Sequence, residues 1–242
     1  MKAPSEILSD RIVSIISLLD KDKKMNLAIS GGNSPDKLFS LWSGSYLNII
    51  DWERVNLFWV DERCVPPHHN DSNFGRAFDF FLSNAGIPDP NIFRINGEID
   101  NEKAALEYEM TIKNVFDLSE GFDMVILGIG EDGHTSSVFP GQKDLYSSKR
   151  YYMPSVNPYT GQKRVALTLS GILKSKEIVF FLDGPSKISI LKLIESYDHQ
   201  EDILMDNLLP VSYVIEKAVK SYIYWENAPS VVRFNINSIF VI

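Results

Sequence analysis

Cysteine is almost missing from this 242-residue chain: Cys64 stands alone, which excludes an intrachain disulfide and suits a reducing compartment. No His or Cys neighbours it in DERCVP, so an inert, half-buried thiol is expected there. Basic charge is also short. With 24 Lys and Arg against 32 Asp and Glu, the chain cannot easily present a wide basic stripe, which argues against nucleic acid as a partner. No apolar run approaches the ~18 residues that a membrane span needs, and MKAPSEILSDR lacks the basic start and apolar core of a signal peptide. These absences predict a soluble cytoplasmic protein. No Pro/Ser-rich linker, low-complexity tract or internal repeat interrupts the chain, so residues 1–242 are expected to form a single α/β domain.

Several catalytic signatures are missing too. No Gly-Lys-Ser/Thr follows the glycine-rich SGGNSP, so it is not a Walker loop; GxGxxG and GxSxG are absent as well. The four histidines are scattered, and His68, His69 and Asp71 sit in an extended loop without evident further ligands, so no metal site is expected.

What remains has a regular rhythm. Ile7, Leu8, Ile12, Ile15, Ile16 and Leu19 recur at helical spacing, Lys21 to Lys24 break the pattern, and MNLAIS reads as a buried strand. A helix with Pro35 in its first turn follows, then the strand VNLFWV, the loop DERCVPPHHNDSN and a helical pattern from Phe74 through Phe78, Phe81 and Leu82. Next come a helix bearing Ala105, Tyr108, Ile112 and Phe116, the strand FDMVILGIG, the segment RVALTLS, the strand EIVFFLDG and the helix PSKISILKLIE. MVIL and IVFFL are continuously apolar, as in strands covered on both faces. The expected fold is α/β and Rossmann-like, a mainly parallel sheet with helices on both faces. The closing SYIYWENAPSVVRFNINSIFVI starts like a strand; its tail suits either an edge cover or an oligomer contact.

Ligands of open α/β sheets bind beyond the carboxyl ends of the strands, and four loops there carry unusual chemistry. In Ser30 to Pro35 two glycines leave backbone donors unobstructed at a helix start, which suits an anion; a tight turn with Asn33 or Ser34 as helix cap explains the same letters. Asp61, Glu62 and Arg63 put two acids and a cation at a strand end, where Arg63 can hold an oxygen by paired donors or form a solvated ion pair. Asn73, with Ser72, either lines the same mouth or caps the helix from Phe74. In GIGEDGHTSS, Asp132 lies two residues before His134 and can fix its tautomer or bind substrate hydroxyls, and His134 is a natural general base, with a purely structural histidine as the alternative. Ser136 and Ser137 suggest a serine nucleophile, but they follow the turn and GxSxG is missing, so helix capping by Thr135, Ser136 or Ser137 is the favoured reading. Lys187 in the first turn of a helix opposes the helix dipole unless an anion is bound, and Arg164 is a weaker candidate of the same kind; either also reads as a surface charge.

Taken in order, SGGNSP, DERCVPPHHNDSNF, GIGEDGHTSSVFPG, RVALTLSG and FFLDGPSK resemble the 6-phosphogluconolactonases, over about Ser5 to Ala228. The resemblance implies a fold similar to glucosamine-6-phosphate deaminases and ribose-5-phosphate isomerases, with no metal or nucleotide cofactor. It implies hydrolysis of 6-phosphoglucono-1,5-lactone, His134 activating water, Asp132 supporting it and Arg63 lying over the lactone. It further implies that Gly31, Gly32, Asn33, Ser34 and Lys187 hold the phosphate, with Arg164, Asp61 and Asn73 completing the substrate contacts. The partner is then a small sugar-phosphate lactone, and the protein a monomer or small homo-oligomer. Two other readings are an amino-sugar phosphate deaminase/isomerase, whose second acid after the DGH loop is here replaced by Ser-Val-Phe-Pro, and a non-catalytic sugar-phosphate sensor, for whose DNA-binding segment the ~24 residues before the first strand are too few.

Overall fold

The computed structural model describes residues 2–32, 34–117, 120–198, 209–229 and 239–242. Helix α1 (Pro4–Leu18) opens with proline at its start and with the Glu6 carboxylate accepting from the Ala3 N–H at 2.7 Å. It buries Leu8, Ile12 and Ile16 on one face. Strand β1 (Met25–Ile29), helix α2 (Asp36–Ser43) and strand β2 (Val55–Trp59) follow as the apolar runs predict. Further along the chain lie β5 (Met124–Leu127), α6 (Asp144–Ser147), α7 (Leu169–Leu173), β8 (Glu177–Asp183), α8 (Ile188–Asp198), α9 (Pro210–Lys217) and β9 (Ser221–Glu226). With the short β4 (Ile92–Phe93) and β10 (Ile239–Val241), these strands make a seven-stranded sheet in the order β10-β9-β8-β5-β1-β2-β4, every pair parallel. The described part of the tail therefore extends the sheet edge through β10; the rest of RFNINSIFVI lies outside the described residues.

All four residues of β5 and six of the seven in β8 are buried, so both faces of the sheet centre are covered. The buried apolar side chains form one cluster. Within it Phe39, Trp42, Trp52 and Phe81 pack with ring centroids 5.0 to 5.8 Å apart, tilted and edge-on geometries that favour aromatic pairs by ~0.5–1.5 kcal/mol each.

Two features depart from expectation. DER is not loop: Asp61–Arg63 form a strand, β3, in a second sheet of order β3-β7-β6, all antiparallel, with β6 spanning Tyr152–Val156 and β7 Lys163–Leu167. RVALTLS thus builds this small sheet instead of the large one. Alternation in VALTL is too brief to say which partner a strand will take. The pattern from Phe74 is also broken: α3 (Asn73–Ala77) passes through a π-helical turn at Phe78–Leu82 into α4 (Ser83–Ala85). That turn leaves Phe78 and Phe80 partly exposed. Helix α5 (Asn101–Lys113) packs on β6 and β7.

Val60, between β2 and β3, joins the sheets. Its N–H donates to the Ile29 carbonyl (2.9 Å) and its carbonyl accepts from the Leu167 N–H (2.7 Å). Glu62, 2% exposed, anchors β3 to the start of α3. One carboxylate oxygen accepts from the N–H groups of Arg63 (2.8 Å) and Asn73 (2.7 Å), the other from the Phe74 N–H (2.8 Å) and the Ser72 hydroxyl (3.1 Å). Burial raises this carboxyl to about 7, against the downward pull of the three backbone donors.

Glu62→Gln replaces an acceptor used twice by an amide that can only donate. The expected outcome is a loss of about 1–3 kcal/mol in stability, read as a lowered midpoint in denaturant. A folded carboxyl raised from its ordinary 4.5 to about 7 contributes stability that is complete below the unfolded value and lost as pH climbs through the folded one. The deficit of the variant should therefore be largest at acid pH and shrink toward pH ~8; a deficit that grows with pH would contradict this account.

Candidate active site

The sheet changes winding direction around β1: the chain goes from β1 to β2 on one side and returns to β5 on the other. The loops leaving β1 and β5 therefore diverge at one end of the sheet and open a crevice. A cleft of about 160 Å³ lies there. Gly31, Gly32 and Ser34 enter from the β1 loop, Asp61 and Arg63 from β3, Asn73 from the start of α3, His134 from the β5 loop and Arg164 from β7. Eight of the expected site residues are thus brought together. Asn33 lies outside the described residues. Asp132 and Lys187 stand behind the lining: Asp132 contacts His134, and the Lys187 ammonium donates to the carbonyl of Ile129, a cleft residue, at 2.8 Å.

His134 is held by a tight turn. The Gly130 N–H donates to the His134 carbonyl (2.9 Å) and the Gly133 N–H to the Gly130 carbonyl (3.0 Å), with Gly133 at a left-handed φ of 80°. Asp132 Oδ1 meets His134 Nδ1 at 2.5 Å and accepts from the His134 N–H at 3.1 Å. Asp132 Oδ2 accepts from the Tyr159 hydroxyl at 2.9 Å. Burial pushes the Asp132 carboxyl up, but the His134 ring, the His134 N–H and the Tyr159 hydroxyl outweigh it and leave the group at about 2. Asp132 is thus a carboxylate throughout the neutral range. A neutral imidazole facing a carboxylate at Nδ1 carries its proton there and presents Nε2 as a bare acceptor. That is the state a general base needs.

The rest of the cleft is cationic and amidic. Arg63 donates to the Asp71 carbonyl at 2.6 Å; Arg164 donates to the Ser137 hydroxyl (3.1 Å) and to Gln162 Oε1 (3.1 Å), with its guanidinium 5.6 Å from the Phe139 ring centroid. Burial lowers both Arg164 and Lys187 from their ordinary values. Asp61 accepts from the Asn73 amide at 3.0 Å and from the Ser137 hydroxyl in a very short contact. Among the described residues no partner is found for the buried Nε atoms of Arg63 and Arg164 or for Asn73 Oδ1. Two donors and an acceptor, each costing ~1–3 kcal/mol when unpaired, belong to three residues that face one cleft. Gly31 permits this packing, since a Cβ there would lie 2.1 Å from Asn73 Oδ1.

Other expectations fare differently. Thr135, Ser136 and Ser137 cap no helix; the next, α6, begins at Asp144. Thr135 and Val138 pair instead across a two-residue turn whose central residues, Ser136 and Ser137, have φ of 51° and 56°. Such a turn normally takes Asn-Gly, so two serines gave no signal for it. Ser34 caps no helix either: α2 has Pro35 at its N-cap and no side-chain cap bond. Asn73 and Ser72 divide the two roles proposed for them, for Ser72 accepts from the Gly75 N–H at 3.0 Å while Asn73 lines the cleft. His69 Nδ1 accepts from the Asp71 N–H at 3.1 Å. Cys64 is half-buried, and burial raises its thiol to about 11, far from a reactive thiolate. Tyr159 and Phe139 were not anticipated as parts of the site; nothing local in NPYTGQ points to Asp132, which lies 27 residues away.

Comparison with known proteins gives concordant matches. The family model described as glucosamine-6-phosphate isomerases/6-phosphogluconolactonase matches residues 4–225. A 6-phosphogluconolactonase of Treponema pallidum is 34% identical over 192 residues, which cover 76% of this chain and 80% of that protein. A 6-phosphogluconolactonase of Haemophilus influenzae is 34% identical over 174 residues, covering 71% and 74%. Among solved structures, a 6-phosphogluconolactonase of Thermotoga maritima superimposes with a TM-score of 0.76 at 25% identity, covering 94% of this chain and 96% of that one.

The His134 turn generates a sharp prediction. A Cβ at Gly130 would lie 2.1 Å from His134 Nδ1, so Gly130→Ala must displace the ring although the backbone there needs no left-handed φ. The variant should keep its far-UV circular dichroism while losing the downfield Nδ1 proton resonance of a carboxylate-bonded imidazole. A retained resonance would mean the ring does not occupy this position.

Proposed function

The chain belongs to the glucosamine-6-phosphate isomerase/6-phosphogluconolactonase family, and we propose that it hydrolyses 6-phospho-D-glucono-1,5-lactone to 6-phospho-D-gluconate, in the oxidative pentose phosphate pathway. The observation that carries this reading is the Asp132–His134 contact, which leaves Nε2 bare beside a cleft lined by two arginines. His134 Nε2 takes a proton from water as the oxygen attacks the lactone carbonyl carbon. Arg63 or a backbone N–H of the cleft steadies the oxyanion, and the ring C–O bond then breaks, with the departing oxygen taking the proton from the imidazolium. A lactone is an activated ester, so one positioned base and oxyanion stabilisation suffice without a covalent intermediate.

The phosphate belongs at the β1 loop, where Gly31 and Gly32 leave backbone donors free at the start of α2, with Ser34, Asn33, Lys187 and Arg164 as further contacts. Asp61 and Asn73 suit sugar hydroxyls. Net charge of −8 gives the dianion no long-range attraction, so short-range donors must hold it. Between His134 and Pro140 stand only Thr, Ser, Ser, Val and Phe, so an isomerase would lack an acid there. No described helix is long and apolar enough to cross a membrane, which accords with a site of action in the cytoplasm.

The test couples the protein to glucose-6-phosphate dehydrogenase and follows disappearance of the lactone. Wild type should outpace spontaneous opening, and His134→Ala should lose roughly 10²- to 10⁴-fold in kcat. Unphosphorylated gluconolactone should lose kcat as well as affinity, because remote binding energy aligns the reacting carbon, and dialysis against EDTA should change nothing. Wild-type turnover by the alanine variant would remove His134 from the mechanism; no acceleration by wild type would end the hydrolase reading.

A further inference from the structure

The turn joining β6 to β7 is built to hold one side chain in place. Asn157 Oδ1 accepts from the N–H groups of Tyr159 (2.9 Å) and Thr160 (3.2 Å). The backbone closes beneath them, Asn157 N–H to Gln162 carbonyl at 3.0 Å and Gly161 N–H to Asn157 carbonyl at 2.9 Å. Tyr159 is 71% exposed, an unusual position for a tyrosine with nothing to do. Its hydroxyl nevertheless donates to Asp132 Oδ2 at 2.9 Å. Its ring meets Phe139 edge-on at 6.4 Å, and Phe139 lies 4.5 Å from the His134 ring. Tyr159 and His134 are therefore bridged twice, by one carboxylate and by one aromatic ring.

A carboxylate gripped at one oxygen can swing about its Cβ–Cγ bond. Asp132 is gripped at both: Oδ1 by the ring and N–H of His134, Oδ2 by the phenol. We infer that Tyr159 is a positioning residue for the hydrolysis, its hydroxyl fixing the plane of the Asp132 carboxylate and thereby the tautomer and orientation of His134. The inference rests on the lactone-hydrolase reading above. Tyr159 touches no reacting atom and acts only through Asp132, as second-layer partners of catalytic and metal-bound imidazoles do. The phenol also shares the carboxylate's charge. Without it Asp132 becomes a stronger partner for an imidazolium, while the other charges around His134 stay as they are: Glu131 on the same loop, Asp61 and Arg63 from β3, Arg164 from β7 and Lys187 from the turn after β8.

Tyr159→Phe keeps the ring on Phe139 and removes only the hydroxyl. In the full-length enzyme kcat should fall roughly 3- to 10-fold, with KM unchanged within about twofold. Adding Tyr159→Phe to Asp132→Asn should cost nothing further, because the path through the carboxylate is already cut. A loss confined to KM, or the same fold-loss in both backgrounds, would overturn the assignment. A second measurement needs no substrate: the downfield Nδ1 proton resonance of the carboxylate-bonded His134 imidazole should broaden through faster exchange in Tyr159→Phe, and an unchanged resonance would also overturn it. If wild type fails to accelerate lactone opening, the hydrolase reading falls, while the resonance still reports whether Tyr159 acts on the Asp132–His134 pair.

Discussion

The carbonyl of Val60 is the point from which the active end of the molecule is organised. A residue leaving a parallel strand normally exposes its carbonyl to solvent at the sheet end. This one accepts from the Leu167 N–H and also from the Ser136 hydroxyl at 2.8 Å. The first bond ties the antiparallel sheet to the parallel one, and the second ties the His134 loop to both. Arg63, Arg164 and His134 reach the same cleft from different parts of the chain because their backbones converge here. A buried carbonyl must be paired, and pairing this one twice leaves the surrounding loops little freedom to drift.

Electrostatics in the cleft follows from its enclosure. The protein is acidic overall, yet Arg63, Arg164 and Lys187 gather at one end of the sheet. Burial disfavours the charged forms of Arg164 and Lys187, so each gains when an anion arrives. Asp61 offsets part of the Arg164 charge, but the oxygens of Asp61 and Asp132 are already committed to Asn73, Ser137, His134 and Tyr159, so neither carboxylate takes up the cations' donors. Carboxylates here act on neighbouring side chains, and the donors are left for the ligand. Such a division permits tight local recognition of a dianion by a protein whose long-range field repels it.

Much of this was legible in the sequence. Continuous apolar runs such as MVIL and IVFFL reported strands covered on both faces, and the loops after them held the unusual chemistry. His134, Asp132, Arg63 and the glycines of the β1 loop could be singled out because each departs from what a loop needs for its own sake. The small antiparallel sheet was not legible, since β3 is three residues long and its partner β7 lies a hundred residues on; pairing at that separation leaves no local periodicity. Glu62 read as one of two similar acids, yet Asp61 faces the cleft while Glu62 is spent on the N-terminus of α3. Alternation along a strand sends neighbours to opposite sides, and only knowing that DER is a strand separates their roles.

Ser136 and Ser137 show why local preference failed at this loop. Both sit at left-handed φ, which costs non-glycine residues ~1–3 kcal/mol each, and glycine or asparagine would adopt the turn with less strain. Serine contributes what glycine lacks. The Ser136 hydroxyl reaches the carbonyls of Val60 and Leu167, while the Ser137 hydroxyl bridges Asp61 and Arg164. The single Ser136 proton is shared between its two carbonyls and counts once; hydrogen bonds of this kind contribute ~0.5–1.5 kcal/mol each, and those to charged partners more, so three of them offset strain at two residues. The turn is then rigid for the reason that it is strained: relaxing it would take one partner each from the Val60 carbonyl, the Asp61 carboxylate and the Arg164 guanidinium. His134 stands immediately before that turn, so the strain two residues away helps fix where its ring can be.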